Sequence, residues 1–222
     1  MSDGWAVERR RGPAAALHDR DLGPEVVRRL LVLEPEHPAL VLGSTQPDSD
    51  ADAIALEGAG VELARRRSGG GAVLLVPGQT VWLDVEIPRV DPLWDDDVGR
   101  AFHWVGRTWV GALAELGVLA AVHLGGVRDT TWSRLICFAG LGPGEVTVDG
   151  RKLVGISQRR TRAGARFQCV VHRRWDPGPL VGVLALSPEE RAAARADLVE
   201  AGSGLDAAEA DVVDAFSANL PA

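Results

Sequence analysis

The stretch "RRRSGGGAVLLVPG", residues 65–78, places three arginines directly before three glycines and then returns to apolar residues. Its flanks, "VELARRR" at 61–67 and "AVLLV" at 72–76, have the composition of strands, so the stretch predicts two strands joined by a glycine loop. Glycine lets backbone amides approach a ligand closely, and neighbouring arginines add positive charge, which suits a phosphate or carboxylate. A glycine bulge that bends a sheet explains the loop equally well.

The segments around this loop predict further strands and one long helix. The predicted strands are "ALVLG" at 39–43, "TVWLDVEI" at 80–87, the two halves of "EVTVDGRKLVGISQ" at 145–158, and "RFQCVVHRRW" at 166–175. The "DG" step within 145–158 predicts a tight hairpin. A short helix is expected across Ala51–Gly58. Apolar residues spaced by three and four predict a helix over 95–116, with Asp95, Asp96 and Asp97 as its caps.

The final part of the chain is alanine-rich and predicts helices. Ser187 is expected to cap the first of them and Gly202 to end it. Helices that follow a run of strands without strict alternation favour an α+β fold, a mixed β-sheet with packed helices. We expect residues 1–222 to form one domain, with residues 177–222 as a helical extension.

Composition excludes several classes of protein. The net charge of −7 argues against general nucleic-acid binding. No apolar run reaches the length of a membrane span and no secretory signal is evident, so we expect a cytoplasmic protein without a membrane partner. Cys137 and Cys169 are then expected to be free thiols. Histidine and cysteine pairs at metal-binding spacing are missing from the sequence, which predicts no protein-held metal.

Two further residues are chemically suggestive. Among the 24 lysine and arginine residues only Lys152 is a lysine, and it lies directly after the predicted "DG" turn. A compact ammonium is not interchangeable with a guanidinium, so a specific amine role is a reasonable hypothesis beside a chance occurrence on a hairpin. Cys137 lies in the apolar "LICFAG", where local sequence favours a buried, inert thiol.

Together, "RRRSGGGAV" and "DGRKLVGISQRR" resemble the catalytic domain of lipoate-protein ligases and the related octanoyltransferases. "PALVLGSTQ" at 38–46 resembles the early strand and glutamine-bearing loop of the same family, and the resemblance runs from about Pro38 to Val171. Two motifs in the right order are far more specific than either alone. The resemblance implies the fold of the biotin and lipoate-protein ligase catalytic domains.

The resemblance also implies roles for the loop and the lysine. The loop would lie against the acyl ligand and its activated carboxyl group, the arginines would hold the anionic part, and Lys152 would meet the acyl carbonyl and stabilise the charge that develops there. We expect a narrow apolar tunnel with Trp82 and Leu74 on its walls and charge at one end. Replacing Lys152 by alanine is expected to abolish transfer with little effect on melting. The substrate-binding residues implied are Arg66, Arg67, Ser68, Gly69, Gly70, Gly71, Ala72, Gly155 and Ser157.

Two branches of the family remain open. Ligases activate lipoate with ATP and magnesium, whereas transferases take octanoate from acyl carrier protein, and one class uses a cysteine in a "CF" step about fifteen residues before the lysine. Cys137 stands fifteen positions before Lys152 and becomes a candidate nucleophile that carries the acyl group as a thioester. This match favours a transferase that uses no permanent cofactor, with ATP and magnesium needed only in the ligase alternative.

The expected partners are acyl carrier protein, as donor, and the lysine of a lipoyl carrier domain, as acceptor. Arginine clusters at 65–67, at 159, 160 and 162, and at 173 and 174 would steer these acidic domains. The chain departs from the family pattern at Gly144, Glu145, Ile156 and Ser157. These departures keep a second hypothesis open, a non-catalytic protein that holds an acyl chain or carrier domain. A biotin ligase relative is a third possibility.

Overall fold

The computed structural model of the chain describes residues 4–222, which form ten strands and six helices. The strands are β1 (Ala6–Gly12), β2 (Arg29–Pro35), β3 (Ala39–Leu42), β4 (Glu62–Arg65), β5 (Val73–Leu75), β6 (Thr80–Pro88), β7 (Ala121–Val122), β8 (Val146–Val148), β9 (Arg151–Arg160) and β10 (Gly164–His172). The helices are α1 (Ala14–Asp19), α2 (Ala53–Ala59), α3 (His103–Glu115), α4 (Pro177–Gly182), α5 (Pro188–Val199) and α6 (Glu209–Ala218). Within residues 4–222 every helix is too short or too polar to cross a lipid bilayer.

The strands form a large sheet and a small sheet. The large sheet has the order β1-β2-β6-β10-β9-β8-β7, in which only the β1–β2 pair is parallel. The small sheet has the order β4-β3-β5. The predicted α+β class, a mixed sheet with packed helices, is confirmed.

Both faces of the large sheet are covered, which explains why its central strands β6 and β10 are almost wholly buried. Helices α3 and α6 pack against the far face. Trp109 and Leu113 of α3 are buried in the core between the helices and the sheet. The small sheet and α1 cover the near face. Helices α4 and α5 pack on the outer side of the small sheet.

The predicted helix over 95–116 was too long at its start. Helix α3 begins at His103 and follows a single 3-10 turn at Arg100–Phe102. The Asp97 carboxylate accepts from the Arg100 amide, at the start of that turn, at 2.9 Å. Asp95 instead accepts from the Asp97 amide and pairs with Arg100, and Asp96 accepts from the Trp94 indole. Aspartates that bind one another's backbone favour a turn over a helix start, so their role as caps of the long helix was wrong.

The Ser187 cap is confirmed, since Ser187 and Glu190 form a reciprocal capping box at the start of α5. The Gly202 stop was wrong, because α5 already ends at Val199. At Gly202 the chain passes the Trp175 ring so closely that a Cβ atom would lie 2.5 Å from the ring carbon Cε2. Gly202 therefore serves close packing rather than helix termination.

Residues 201–203 extend the large sheet beside Lys152, beyond the point where β10 has ended. The Lys152 amide donates to the Ala201 carbonyl at 2.9 Å, and the Ser203 amide donates to the Lys152 carbonyl at 2.8 Å. The predicted hairpin before Lys152 is confirmed, with Asp149 at φ 50° and Gly150 at φ 78°. The hairpin and this added segment fix the backbone of Lys152 from both sides.

Candidate functional site

A cavity of about 340 Å³ lies between the glycine loop and the near face of the large sheet. Its apolar walls come from Val73, Leu75, Trp82, Phe138 and Val170. The expectation for Trp82 is confirmed, but that for Leu74 was wrong. Alternate residues of β5 point to opposite faces, so Leu74 packs toward α4 and α5.

The glycine loop owes its shape to close backbone contacts. Gly70 has φ +95°, which disfavours any residue with a side chain, and its carbonyl would lie 1.9 Å from a Cβ atom at Gly43. A Cβ atom at Gly71 would lie 2.6 Å from the Ile136 amide nitrogen. Gly71 therefore allows the 136–137 segment to pack directly against the loop, and Gly43 allows the Gly70 carbonyl to approach the end of β3.

Ala72 holds this segment through its backbone rather than lining the cavity. Its amide donates to the Leu135 carbonyl at 2.7 Å, and its carbonyl accepts from the Cys137 amide at 2.9 Å. The loop and the cysteine thus form one hydrogen-bonded unit.

Arg66 acts within the loop. The side chain is only 4 % exposed, and its guanidinium donates to the carbonyls of Gly69, Gly71 and Val41. Burial lowers its pKa, with the charges of Cys137 and Glu145 opposing that effect. The neighbouring Arg67 points away from the cavity and pairs with Asp19. Arg67 therefore does not lie at the site. The N–H groups of Arg66 are already hydrogen-bonded to backbone carbonyls of the loop and of β3.

Lys152 lies in the cavity wall with its ammonium group buried, at 4 % exposure. Nζ donates to the carbonyls of Cys137 at 2.8 Å and Gly140 at 3.3 Å, and forms an ion pair of 2.7 Å with Glu145. Burial disfavours the charged ammonium, but the charges of Cys137 and Glu145 outweigh it and raise the pKa of Lys152. The lysine is therefore charged at neutral pH.

Glu145 was noted in the sequence only as a departure from the family pattern, yet it organises the site. Its carboxylate accepts from the Gly142 and Ile156 amides at 2.7 and 3.0 Å while it holds Lys152. All three N–H donors of the lysine have protein partners in this arrangement. A substrate carbonyl must therefore displace one of these partners to bind Nζ.

The cysteine predicted as nucleophile lies beside the lysine. The sulfur of Cys137 is 3.7 Å from Nζ, and the residue is part-exposed on the cavity wall. The next residue, Phe138, stacks on Trp175 with ring centroids 5.0 Å apart, and this contact holds the 136–138 segment in place. Cys169 is on the opposite face of the sheet in the α3 core, where burial raises its pKa to about 12. The two thiols are thus in different environments.

The remaining predicted residues lie on the cavity floor or just beneath the loop. Gly155 pairs with Val170, and a Cβ atom there would approach the Phe138 ring to 3.2 Å. The buried Ser68 hydroxyl bridges Ser157 at 2.9 Å and Gln168 at 3.0 Å. These contacts tie the loop to the sheet.

Sequence reasoning missed His18, Gln168 and the role of Glu145. His18 and Gln168 meet across 150 residues of chain, and neither stands in a recognisable local motif. In residues 4–222 the structure groups no three histidine, cysteine, aspartate or glutamate side chains in a way that could hold a metal ion.

The protein is expected to lose stability in acid through His172, which packs beside Phe138 and Trp175. Burial lowers its pKa from the ordinary 6.5 to about 4, so the unfolded chain takes up a proton first as the pH falls. The stabilisation that comes from keeping His172 neutral is complete above pH 6.5 and is lost as the pH falls from 6.5 through about 4. We expect the loss in unfolding free energy to be about 2 kcal/mol, less than the full shift in pKa gives, because the side chain is partly exposed. Urea unfolding of the wild type and His172→Phe across this range measures the loss; equal slopes in both would contradict it.

Comparison with known structures supports the fold. A chain from the structure of a bi-partite lipoate protein ligase and its E2 lipoyl domain from Thermoplasma acidophilum superposes with a TM-score of 0.74 at 18 % identity, covering 97 % of this chain and 82 % of the other. The structure of lipoate-protein ligase A bound with ATP gives 0.70 at 19 % identity, covering 97 % and 83 %. Protein Ta0514 from T. acidophilum with bound lipoic acid gives 0.66 at 20 % identity, covering 86 % and 69 %.

No curated protein sequence matches the chain significantly. The model of the lipoyl protein ligase A/B catalytic domain matches residues 14–203, most of the chain and all the cavity residues described above. The chain therefore belongs to the lipoyl protein ligase A/B catalytic domain family.

Proposed function

We propose that the protein transfers an octanoyl or lipoyl group to the lysine of a lipoyl carrier domain through a thioester on Cys137. The observation that carries this proposal is the distance of 3.7 Å between the Cys137 sulfur and the Lys152 ammonium on the wall of an apolar cavity. A thiolate is the nucleophilic form of cysteine, and an adjacent buried ammonium stabilises its negative charge.

The transfer takes two steps. In the first, the Cys137 sulfur attacks the thioester carbonyl of the acyl donor; the acyl–sulfur bond to the enzyme forms, and the donor thiol leaves with a proton. In the second, the ε-amine of the acceptor lysine attacks the Cys137 thioester, so that an amide forms and the thiol is regenerated. Lys152 Nζ would turn from Gly140 or Glu145 to the carbonyl oxygen in each step and stabilise its developing charge.

Acyl carrier protein is the proposed donor and a lipoyl carrier domain the proposed acceptor. Of the three predicted arginine clusters, the exposed members that could steer such acidic domains include Arg159, Arg162 and Arg174. Arg160 instead stacks on Trp94 at 4.0 Å, and Arg173 donates to the Ala207 carbonyl.

Intact-mass spectrometry after incubation with octanoyl acyl carrier protein tests the proposal. The wild type should gain one octanoyl group, and hydroxylamine should remove it because the linkage is a thioester. Cys137→Ala should gain none. Cys169→Ala is the matched control, because that thiol is buried on the far face, and it should acylate like the wild type. An unlabelled wild type, or a labelled Cys137→Ala, would contradict the thioester route.

An ATP-dependent ligase is the second candidate. The lining of the cavity also includes the polar residues Asp129 and Gln158. A larger activated head group than a bare carboxylate would find hydrogen-bond partners in such side chains. Transfer of free octanoate or lipoate that requires ATP and survives Cys137→Ala would establish the ligase and exclude the transferase.

A further inference from the structure

The ammonium group of Lys152 lies in contact with both the Cys137 sulfur and the Glu145 carboxylate. The sulfur is 3.7 Å from Nζ, and Glu145 Oε1 is 2.7 Å from it. The lysine and the glutamate are almost fully buried, at 4 % and 5 % exposure, so water and salt screen their charges little. The sulfur therefore lies within range of two opposite charges rather than of the ammonium alone.

The two charges have opposite effects on the sulfur. A nearby ammonium favours the thiolate, which is the nucleophilic form of cysteine, whereas a nearby carboxylate disfavours it. Burial works against the charged ammonium, but the pKa of Lys152 is raised because the Cys137 sulfur and the Glu145 carboxylate both interact with it. The sulfur and the carboxylate therefore compete for the same positive charge.

Glu145 is held in place by contacts that do not involve the lysine. Its carboxylate accepts from the Gly142 amide at 2.7 Å and from the Ile156 amide at 3.0 Å, and its backbone carbonyl accepts from the His123 amide at 2.8 Å. Lys152, in contrast, carries its ammonium on a flexible four-carbon stem. The lysine is therefore the member of the ion pair that can move.

Binding of an acyl group gives Nζ a reason to move. In the empty cavity its other partners are the carbonyls of Cys137 and Gly140, so all three N–H donors are already used. The carbonyl oxygen of an acyl group is a further acceptor, which Nζ can bind only if it leaves one of the three. When Nζ leaves Glu145, its charge is no longer neutralised by the carboxylate.

We propose that Glu145 is a positioning residue that keeps Cys137 weakly reactive in the empty site by neutralising the Lys152 ammonium. An acyl donor whose carbonyl oxygen draws Nζ away from Glu145 removes this restraint, so the cysteine becomes reactive when its substrate is bound. The empty enzyme is thereby protected from reaction with other electrophiles. This inference rests on the proposed function in that it takes Cys137 as the nucleophile.

Alkylation of the ligand-free protein by iodoacetamide at pH 7 tests the role of Glu145 without acyl transfer. The reagent is uncharged, so removal of a charge does not change its attraction to the site. Peptide mapping by mass spectrometry gives separate rates for Cys137 and for the buried Cys169, which is the internal control for loss of structure. Glu145→Gln should accelerate alkylation of Cys137 about threefold, because the gain in thiolate is partly offset by its lower nucleophilicity. Alkylation of Cys169 should stay slow.

Two further variants show whether the charge of Glu145 acts through Lys152. Glu145→Asp disturbs the same turn but keeps the charge, so alkylation of Cys137 should stay near the wild-type rate. Lys152→Met combined with Glu145→Gln removes both charges, so the rate should return to that of the wild type or fall below it.

The outcomes separate this inference from the proposed function. An unchanged rate in Glu145→Gln, or an acceleration that persists in the double variant, would overturn the role of Glu145. Equal acceleration in Glu145→Gln and Glu145→Asp would overturn it too, because a disturbed turn rather than a lost charge would be the cause. Failure of octanoyl acyl carrier protein to acylate the wild type would instead overturn the thioester route, and the alkylation rates would still stand.

Discussion

Replacing Lys152 by alanine is expected to abolish acyl transfer and to destabilise the fold at the same time. Loss of a positioned donor to a developing oxyanion lowers turnover by about 10² to 10³. The same change leaves the Glu145 carboxylate buried without its partner, which costs about 3–5 kcal/mol of the free energy of unfolding. Transfer assays and urea unfolding measure the two effects. The sequence alone predicts little effect on melting, because nothing in the local sequence shows this buried pair, whereas the structure predicts a loss of stability.

A double variant separates the two effects of losing Lys152. Lys152→Met combined with Glu145→Gln replaces the ion pair by neutral side chains of similar size, so most of the stability should return while transfer stays absent. Glu145→Gln alone keeps the ammonium and is the matched control for the carboxylate. If the double variant were as active as the wild type, Lys152 would have no part in the chemistry.

Replacing Arg66 by alanine is expected to disrupt the glycine loop. The change removes the guanidinium that holds three backbone carbonyls in a buried position, and charged hydrogen bonds of this kind each contribute about 1.5–3 kcal/mol. We expect a loss of at least about 3 kcal/mol in unfolding free energy, since relaxation and water recover part of the sum. Acylation of Cys137 should fall at least about tenfold even where the variant is folded.

Arg67→Ala is the matched control for Arg66, because it removes an adjacent arginine whose partner is the surface residue Asp19. Stability should change little, and acylation should stay near the wild-type rate. Arg66→Lys keeps the charge but not the planar set of donors, so it should resemble Arg66→Ala. Equal effects of the Arg66 and Arg67 replacements would show that overall charge, rather than the clamp on the loop, matters at this position.

The sequence predicted elements whose signals are local. Alternation on both sides of the "DG" step located the hairpin that presents Lys152, and the glycine loop was placed between the correct strands. The strand predicted at 72–76 is present, but Leu74 was assigned to the wrong face. Alternation shows that neighbouring residues point to opposite faces, but it does not show which of them face the cavity. Strands β1 and β2 and helix α1 were not predicted. Strand β1 is mostly polar and α1 has only six residues, so both give weak signals, whereas the apolar run of β2 does carry a strand signal.

The partners of the site residues could not be predicted from sequence. Lys152 stood out as the only lysine, and the family resemblance added Cys137. The ion pair of Lys152 with Glu145 instead depends on a turn at 142–145 that folds the carboxylate back onto two amides. His18 requires the whole sheet to bring α1 onto β10. Contacts of such long sequence separation depend on topology, which local patterns leave open.

The short segment at residues 201–203 has a consequence for the order of events on the ribosome. Those residues bond to both backbone groups of Lys152, although fifty positions of chain separate them from the lysine. A nascent polypeptide that has emerged only through β10 has the cysteine, the loop and the lysine, but nothing yet to bind this end of strand β9. Completion of the reactive centre therefore has to wait until residues 201–203 have emerged and bound to Lys152.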